Sequence, residues 1–134
     1  MRYQPIPELS RAEVEEALCH NSEHLSTAVL SAALFSDDCG WAESICIRAA
    51  SNKKPTVRGN AILGLGHIAR RFGDFNQPQV TTKIIETALS DYSEYVRGQA
   101  ESAAMTLVHL PCIEFAGRHD RWRQKGLRNC KPLI

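Results

Sequence analysis

The sequence predicts an all-α fold, a short α-solenoid of about three helix pairs with a basic C-terminal extension. Three observations carry that expectation. Apolar residues recur three and four apart in six successive segments, which is the spacing of one helix face. No segment keeps the two-residue alternation of a strand between hairpin turns. A helix, the turn after it and the start of the next helix repeat at an offset of 39 residues. A chain of 134 residues, 43% hydrophobic and 23% charged, suits one ordinary globular domain and excludes a disordered, collagen-like or disulfide-dense class.

Ser10-Arg11-Ala12-Glu13 is a capping box, in which the serine oxygen accepts from a free amide and the glutamate reaches back. A helix starts there with Val14, Ala17 and Leu18 on one face and ends near Asn21. Glu13, Glu15 and Glu16 place negative charge at the positive end of its dipole. From Glu23 to Phe35, His24, Leu25, Ala28, Val29, Ala32 and Ala33 recur at the spacing of a second helix, and Asp37-Asp38-Cys39-Gly40 closes it as a polar turn. A third, shorter helix over Trp41 to Ala50 turns Trp41, Ile45 and Ala49 inward, and Pro55 separates it from the next.

The fourth helix, from about Thr56 to Arg71, carries Val57, Ala61, Leu65, Ile68 and Ala69 on its apolar stripe and Arg58, His67, Arg70 and Arg71 toward the other side. Gly73 stops it. The fifth, about Pro78 to Leu89, buries Val80, Ile84, Ile85 and Ala88. The sixth, about Ser93 to His109, buries Val96, Ala100, Ala104, Leu107 and Val108, and Pro111 ends it.

Val57-Arg58-Gly59-Asn60-Ala61 and Val96-Arg97-Gly98-Gln99-Ala100 are the centre of the repeat. The same offset places Ile45 on Ile84, Ala49 on Ala88 and Asn52 on Asp91. A two-helix period near 40 belongs to solenoids, in which stacking supplies the core that one pair cannot bury alone. Glycine inside a helix costs about 1 kcal/mol against alanine, so its recurrence at Gly59 and Gly98 points to close approach of a neighbouring helix. The chain divides into a repeat domain over 1–111, with repeats at 11–36, 41–72 and 78–110, and an extension over 112–134.

These motifs resemble the HEAT-like repeat family. The first pair, lacking Val-Arg, is a degenerate N-terminal repeat. The resemblance implies a ladder between successive repeats in which Asp91 pairs with Arg58 or Arg97. The helix reading VRGNAILGLGHIARRFG, residues 57–73, is similar to those of small bacterial HEAT-repeat immunity proteins of toxin/immunity pairs. It implies a non-catalytic protein that binds a cognate toxin, such as a nuclease, and blocks its active site.

Charge gives the partner surface. Residues 1–51 hold 3 basic and 8 acidic side chains, residues 52–111 hold 7 and 5, and residues 112–134 hold 6 and 2, so the net charges run −5, +2 and +4. Glu13, Glu15, Glu16, Glu23, Asp37, Asp38 and Glu43 are expected on an acidic surface facing a basic protein, with Glu15, Glu16, Asp37 and Asp38 as its contacts. The rival is a nucleic-acid-binding repeat protein using Arg58, Arg70, Arg71 and the tail around Trp122. A second rival resembles the phycobilin lyases, whose HEAT-like repeats hold a pigment.

Catalysis is not expected. There is no Gly-x-Ser-x-Gly elbow, no His-Glu pair of the kind that metal-dependent HEAT-like hydroxylases use, and no C-x-x-C. His20 and His24 are separated by a helix break. Cys19, Cys39, Cys46, Cys112 and Cys130 read as free thiols, with Cys19 and Cys46 in the core. No metal or cofactor is implied. With no secretory core at the N-terminus and no apolar run long enough to span a membrane, a cytoplasmic location is expected.

Overall fold

The computed structural model describes residues 5–110; the tail from Pro111, including Trp122, Cys112 and Cys130, lies outside them. Six helices follow in order: α1 (Arg11–Cys19), α2 (Leu25–Phe35), α3 (Cys39–Ala49), α4 (Pro55–Phe72), α5 (Pro78–Ala88) and α6 (Glu94–Leu107). No strand occurs among the described residues.

The chain signals its own helix ends. Ser10 and Glu13 form both halves of the capping box of α1. Asn21, at φ 47°, takes the left-handed conformation in the turn after it. Pro55 and Pro78 open α4 and α5 at the position where a missing N–H costs nothing. Gly73, at φ 74°, ends α4 in the left-handed region that favours glycine. One boundary differs from expectation. The Asp38 carboxylate accepts from Trp41 N at 3.0 Å and so caps a helix beginning at Cys39, which places Cys39 and Gly40 inside α3 instead of in the turn.

Each helix packs on its sequence neighbour in the pairs α1/α2, α3/α4 and α5/α6, and α4 lies between α2 and α6 with its most extensive contacts to those two. The core runs through all six, with Val14, Leu25, Val29, Ile45, Ile62, Leu65, Ile68, Ile85, Val96 and Leu107 fully or almost fully buried. Small residues let α2, α3 and α4 come close. A Cβ at Gly64 would lie 2.8 Å from Cys46 Sγ and 3.0 Å from Ala33 Cβ.

A polar ladder recurs with the sequence repeat. Arg58 Nη1 donates to the carbonyls of Asn52 and Lys53, six and five residues back, at 3.1 and 2.9 Å; Arg97 Nη1 does the same to Asp91 and Tyr92 at 2.8 and 3.0 Å. Asn52 Oδ1 accepts from Lys54 N and Asp91 Oδ1 from Ser93 N, both at 2.9 Å. Between the units, Arg58 Nε and Nη2 grip the Asp91 carboxylate at 2.9 and 2.8 Å. The expected choice between Arg58 and Arg97 is thereby resolved: Arg58 takes the carboxylate and Arg97 the backbone. Asn52 Nδ2 instead donates to Asn21 Oδ1 at 2.9 Å, a neutral link to a first pair that has no arginine in α2.

Several expectations fail for physical reasons. Glu43 is not on the surface. It is fully buried, and its carboxylate accepts from Asn76 N, Gln77 N at 2.9 Å and Thr81 Oγ1 at 2.7 Å, all at the entry to α5. Cys19 is exposed whereas Cys46 is buried. The nine-residue α1 fully buries only Val14, and Cys19 sits on its last turn. His24 precedes α2 and is exposed, Trp41 is half-buried, and Val80 is 45% exposed.

The two repeated glycines also part company. A Cβ at Gly59 would come within 2.3 Å of the Tyr95 ring of α6, whereas one at Gly98 meets nothing within 4 Å. Close approach therefore explains Gly59 and not Gly98. Gly98→Ala is expected to stabilise the protein by about 0.5–1 kcal/mol through helix propensity. Gly59→Ala is expected to fall short of that gain or reverse it, because it displaces Tyr95 from its hydrogen bond to Asn60 Oδ1. Parallel urea unfolding of the two variants checks this.

Candidate functional site

The four carboxylates expected to meet a partner lie on α1 and in the turn between α2 and α3. The structure divides them. Glu15 binds Arg48 of α3 at 2.8 Å, and Asp38, besides capping α3, lies 3.4 Å from Arg11 of α1. Arg11 also stacks over Trp41, 4.8 Å from the ring centroid. These contacts tie α1 to α3, and both carboxylates remain about half exposed, at 44% and 53%. Glu16 and Asp37 are exposed and have no ion-pair partner among the described residues.

Glu16 lines a hollow of about 520 Å³ between α1 and the start of α2, together with Glu13, His20 and His24. The Ser10 backbone and hydroxyl hold the Glu13 carboxyl below its ordinary range. The helix break thus brings the two histidines to one hollow. Among the described residues, no group of three His, Cys, Asp or Glu side chains could hold a metal ion.

The cations of α4 are committed to internal contacts. Arg58 serves the ladder. Arg70 donates to Thr106 Oγ1 and meets His67 Nδ1, both at 2.9 Å. Arg71 donates to the Ala33 carbonyl at 2.7 Å and lies over Phe72. Burial, then Arg70 and Arg71, lower the His67 pKa and favour the neutral ring. Two of the thiols, Cys39 and Cys46, are poor nucleophiles. Burial, then Glu43, Asp74 and Asp38, raises the pKa of Cys39, and burial with Glu43 raises that of Cys46 further.

Sequence reasoning missed a second concavity, a groove of about 480 Å³ between α3 and α5. Its walls include Ile47, Ile62, Val80 and Ile84, with Lys83 and Thr87 also lining it. α3 and α5 scarcely touch. Two polar clamps hold α5 instead: Glu43 grips its N-terminal end, and Arg58 grips Asp91 just beyond its C-terminal end.

The 39-residue register supplies the reason for the gap. Trp41 of α3 corresponds to Val80 of α5, and Arg48 corresponds to Thr87. Trp41 and Arg48 reach α1 partners across the α1–α3 junction. Their shorter counterparts leave the α3–α5 junction unfilled. Comparing side-chain size at matched repeat positions was the signal available in the sequence.

No protein-family model matches the chain, nor does any curated protein or solved structure.

The Arg58–Asp91 clamp is 19% and 17% exposed, and charged hydrogen bonds of this kind contribute about 1.5–3 kcal/mol. Asp91→Asn should therefore lower stability at pH 7 by about 2 kcal/mol. Hydrogen bonds from Arg58 hold the Asp91 pKa below its unfolded value. The contribution is thus complete above the ordinary carboxylate range and disappears as pH falls through the depressed value. The difference between wild-type and variant stabilities, measured by urea unfolding, should begin to shrink as pH falls below about 4 and vanish below the depressed value; a difference that stays constant through that range would contradict this origin.

Proposed function

We propose that the chain is a HEAT-like helical repeat protein acting as a non-catalytic protein-binding module, and specifically an immunity protein that neutralises a cognate toxin by covering its cationic active site. The observation that carries this reading is the division of charge between committed and available groups. Glu16 and Asp37 are exposed without ion-pair partners among the described residues, and Glu15 and Asp38 are half-exposed. Arg58, Arg70 and Arg71 are engaged with other parts of the fold. The first helix pair and the turn after it therefore carry the exposed acidic surface, while Arg70, Arg71 and Lys83 leave positive charge on other parts of the fold.

Recognition by this surface is electrostatic and steric. Carboxylates set on α1 and the α2–α3 turn stand in for the phosphates that a nuclease groove would bind. They speed encounter and select a basic partner more than they raise intrinsic affinity. Of the α4 arginines, Arg58 is neutralised by Asp91 and gives the nucleic-acid reading no support, whereas the exposed Arg70 and Arg71 bond to neutral acceptors and keep their charge. No helix among the described residues is long and apolar enough to cross a membrane.

Mixing the protein with the toxin encoded beside it should give a stable complex and abolish toxicity. Absence of a complex, or a complex that leaves toxicity intact, would sink the proposal. The double variant Glu16→Lys/Asp37→Lys should slow association about tenfold in low salt, with the difference shrinking as salt screens exposed charges. Stopped-flow association rates at two ionic strengths provide the measurement.

A further inference from the structure

We propose that the groove between α3 and α5 is a binding site for a linear amphiphilic carboxylate of the fatty-acid class, with its chain against Ile47, Ile62, Val80 and Ile84 and its headgroup at Lys83. This inference is independent of the toxin-binding surface, which lies on the first helix pair.

The size and character of the groove favour a small ligand. Its volume, about 480 Å³, falls within the roughly 300–1,000 Å³ of small-molecule sites, which combine apolar walls with a few polar groups. Val80 exposes 45% of its surface, more than the fold requires of a residue on an otherwise amphipathic helix. The cavity is also preformed. Glu43 and Arg58 fix the two ends of α5, so the space left by Val80 and Thr87 is not closed by α5 settling onto α3.

Charge selects the headgroup. Among the lining residues the ionised groups are Arg58, Lys83 and Asp91. Arg58 and Asp91 neutralise one another through two hydrogen bonds. The Lys83 ammonium has no partner among the described residues. One uncompensated cation beside an apolar trough fits a monoanion with an apolar body. It disfavours a cationic amphiphile, which would meet Lys83 with like charge.

Dodecanoate, titrated below its micellar concentration by calorimetry, should bind the full chain saturably at one molecule per protein. Affinity across octanoate, decanoate and dodecanoate should rise by up to about fourfold per methylene until the trough is filled. Lys83→Gln should weaken dodecanoate binding about tenfold. Val80→Trp, which restores the bulk found at the matched position Trp41, should abolish it. Both substituted residues are exposed, so thermal melts should confirm intact folding.

Dodecyltrimethylammonium should bind at least tenfold more weakly than dodecanoate. Lack of saturable dodecanoate binding, or binding unchanged by Val80→Trp in the folded variant, would overturn the site. Equal binding of the two amphiphiles, or no effect of Lys83→Gln, would overturn the carboxylate assignment.

Discussion

A fully buried carboxylate governs how the third helix pair joins the second. An ionised group removed from water is costly unless opposing charge or hydrogen bonds replace its hydration. Glu43 receives that replacement from two backbone amides before α5 and the Thr81 hydroxyl within it. The requirement runs in both directions. The amides at the start of a helix lack intrahelical acceptors, and Glu43 supplies one from α3. The α4–α5 connection cannot shift without leaving both sides unsatisfied, so α5 enters the fold at one place.

The opposite end of α5 is set by the repeat itself. Arg58 reaches backward to two carbonyls of its own turn and forward to Asp91 of the next. One guanidinium thereby fixes both the shape of a turn and its distance from its neighbour. On the other side of α4, Asn60 donates to the Ser26 carbonyl at 3.0 Å and accepts from the Tyr95 hydroxyl. A single side chain thus links α2, α4 and α6. These directional contacts complement the apolar core, which favours burial but is less demanding about register.

Much of the fold was legible because its signals are local. Ser10 and Glu13 lie three residues apart, Gly73 immediately follows its helix, and the Val-Arg pairs recur at a constant offset. Arg58 and Asp91 were legible through that repetition. Glu43 was not. A glutamate on a short amphipathic helix reads as surface, and the donors that make its burial tolerable lie 33 to 38 residues further along the chain. Cys19 misled because an apolar neighbourhood in sequence does not guarantee cover at the last turn of a short helix. The acidic pattern located the candidate contacts, but only the geometry separated Glu15 and Asp38, which brace α1 against α3, from Glu16 and Asp37.

The mismatch between Trp41 and Val80 separates scaffold from capacity. The clamps that hold α5 use Glu43, Thr81, Arg58 and Asp91, whereas the width available between α3 and α5 depends on side chains at positions such as 80 and 87. Substitution there can reshape the trough while the clamps and the buried stripe around Ile85 stay in place. The junction between two repeats is consequently an evolvable compartment: the same backbone can present a seam bridged by long side chains, as Trp41 and Arg48 bridge α3 to α1, or an open one, as between α3 and α5.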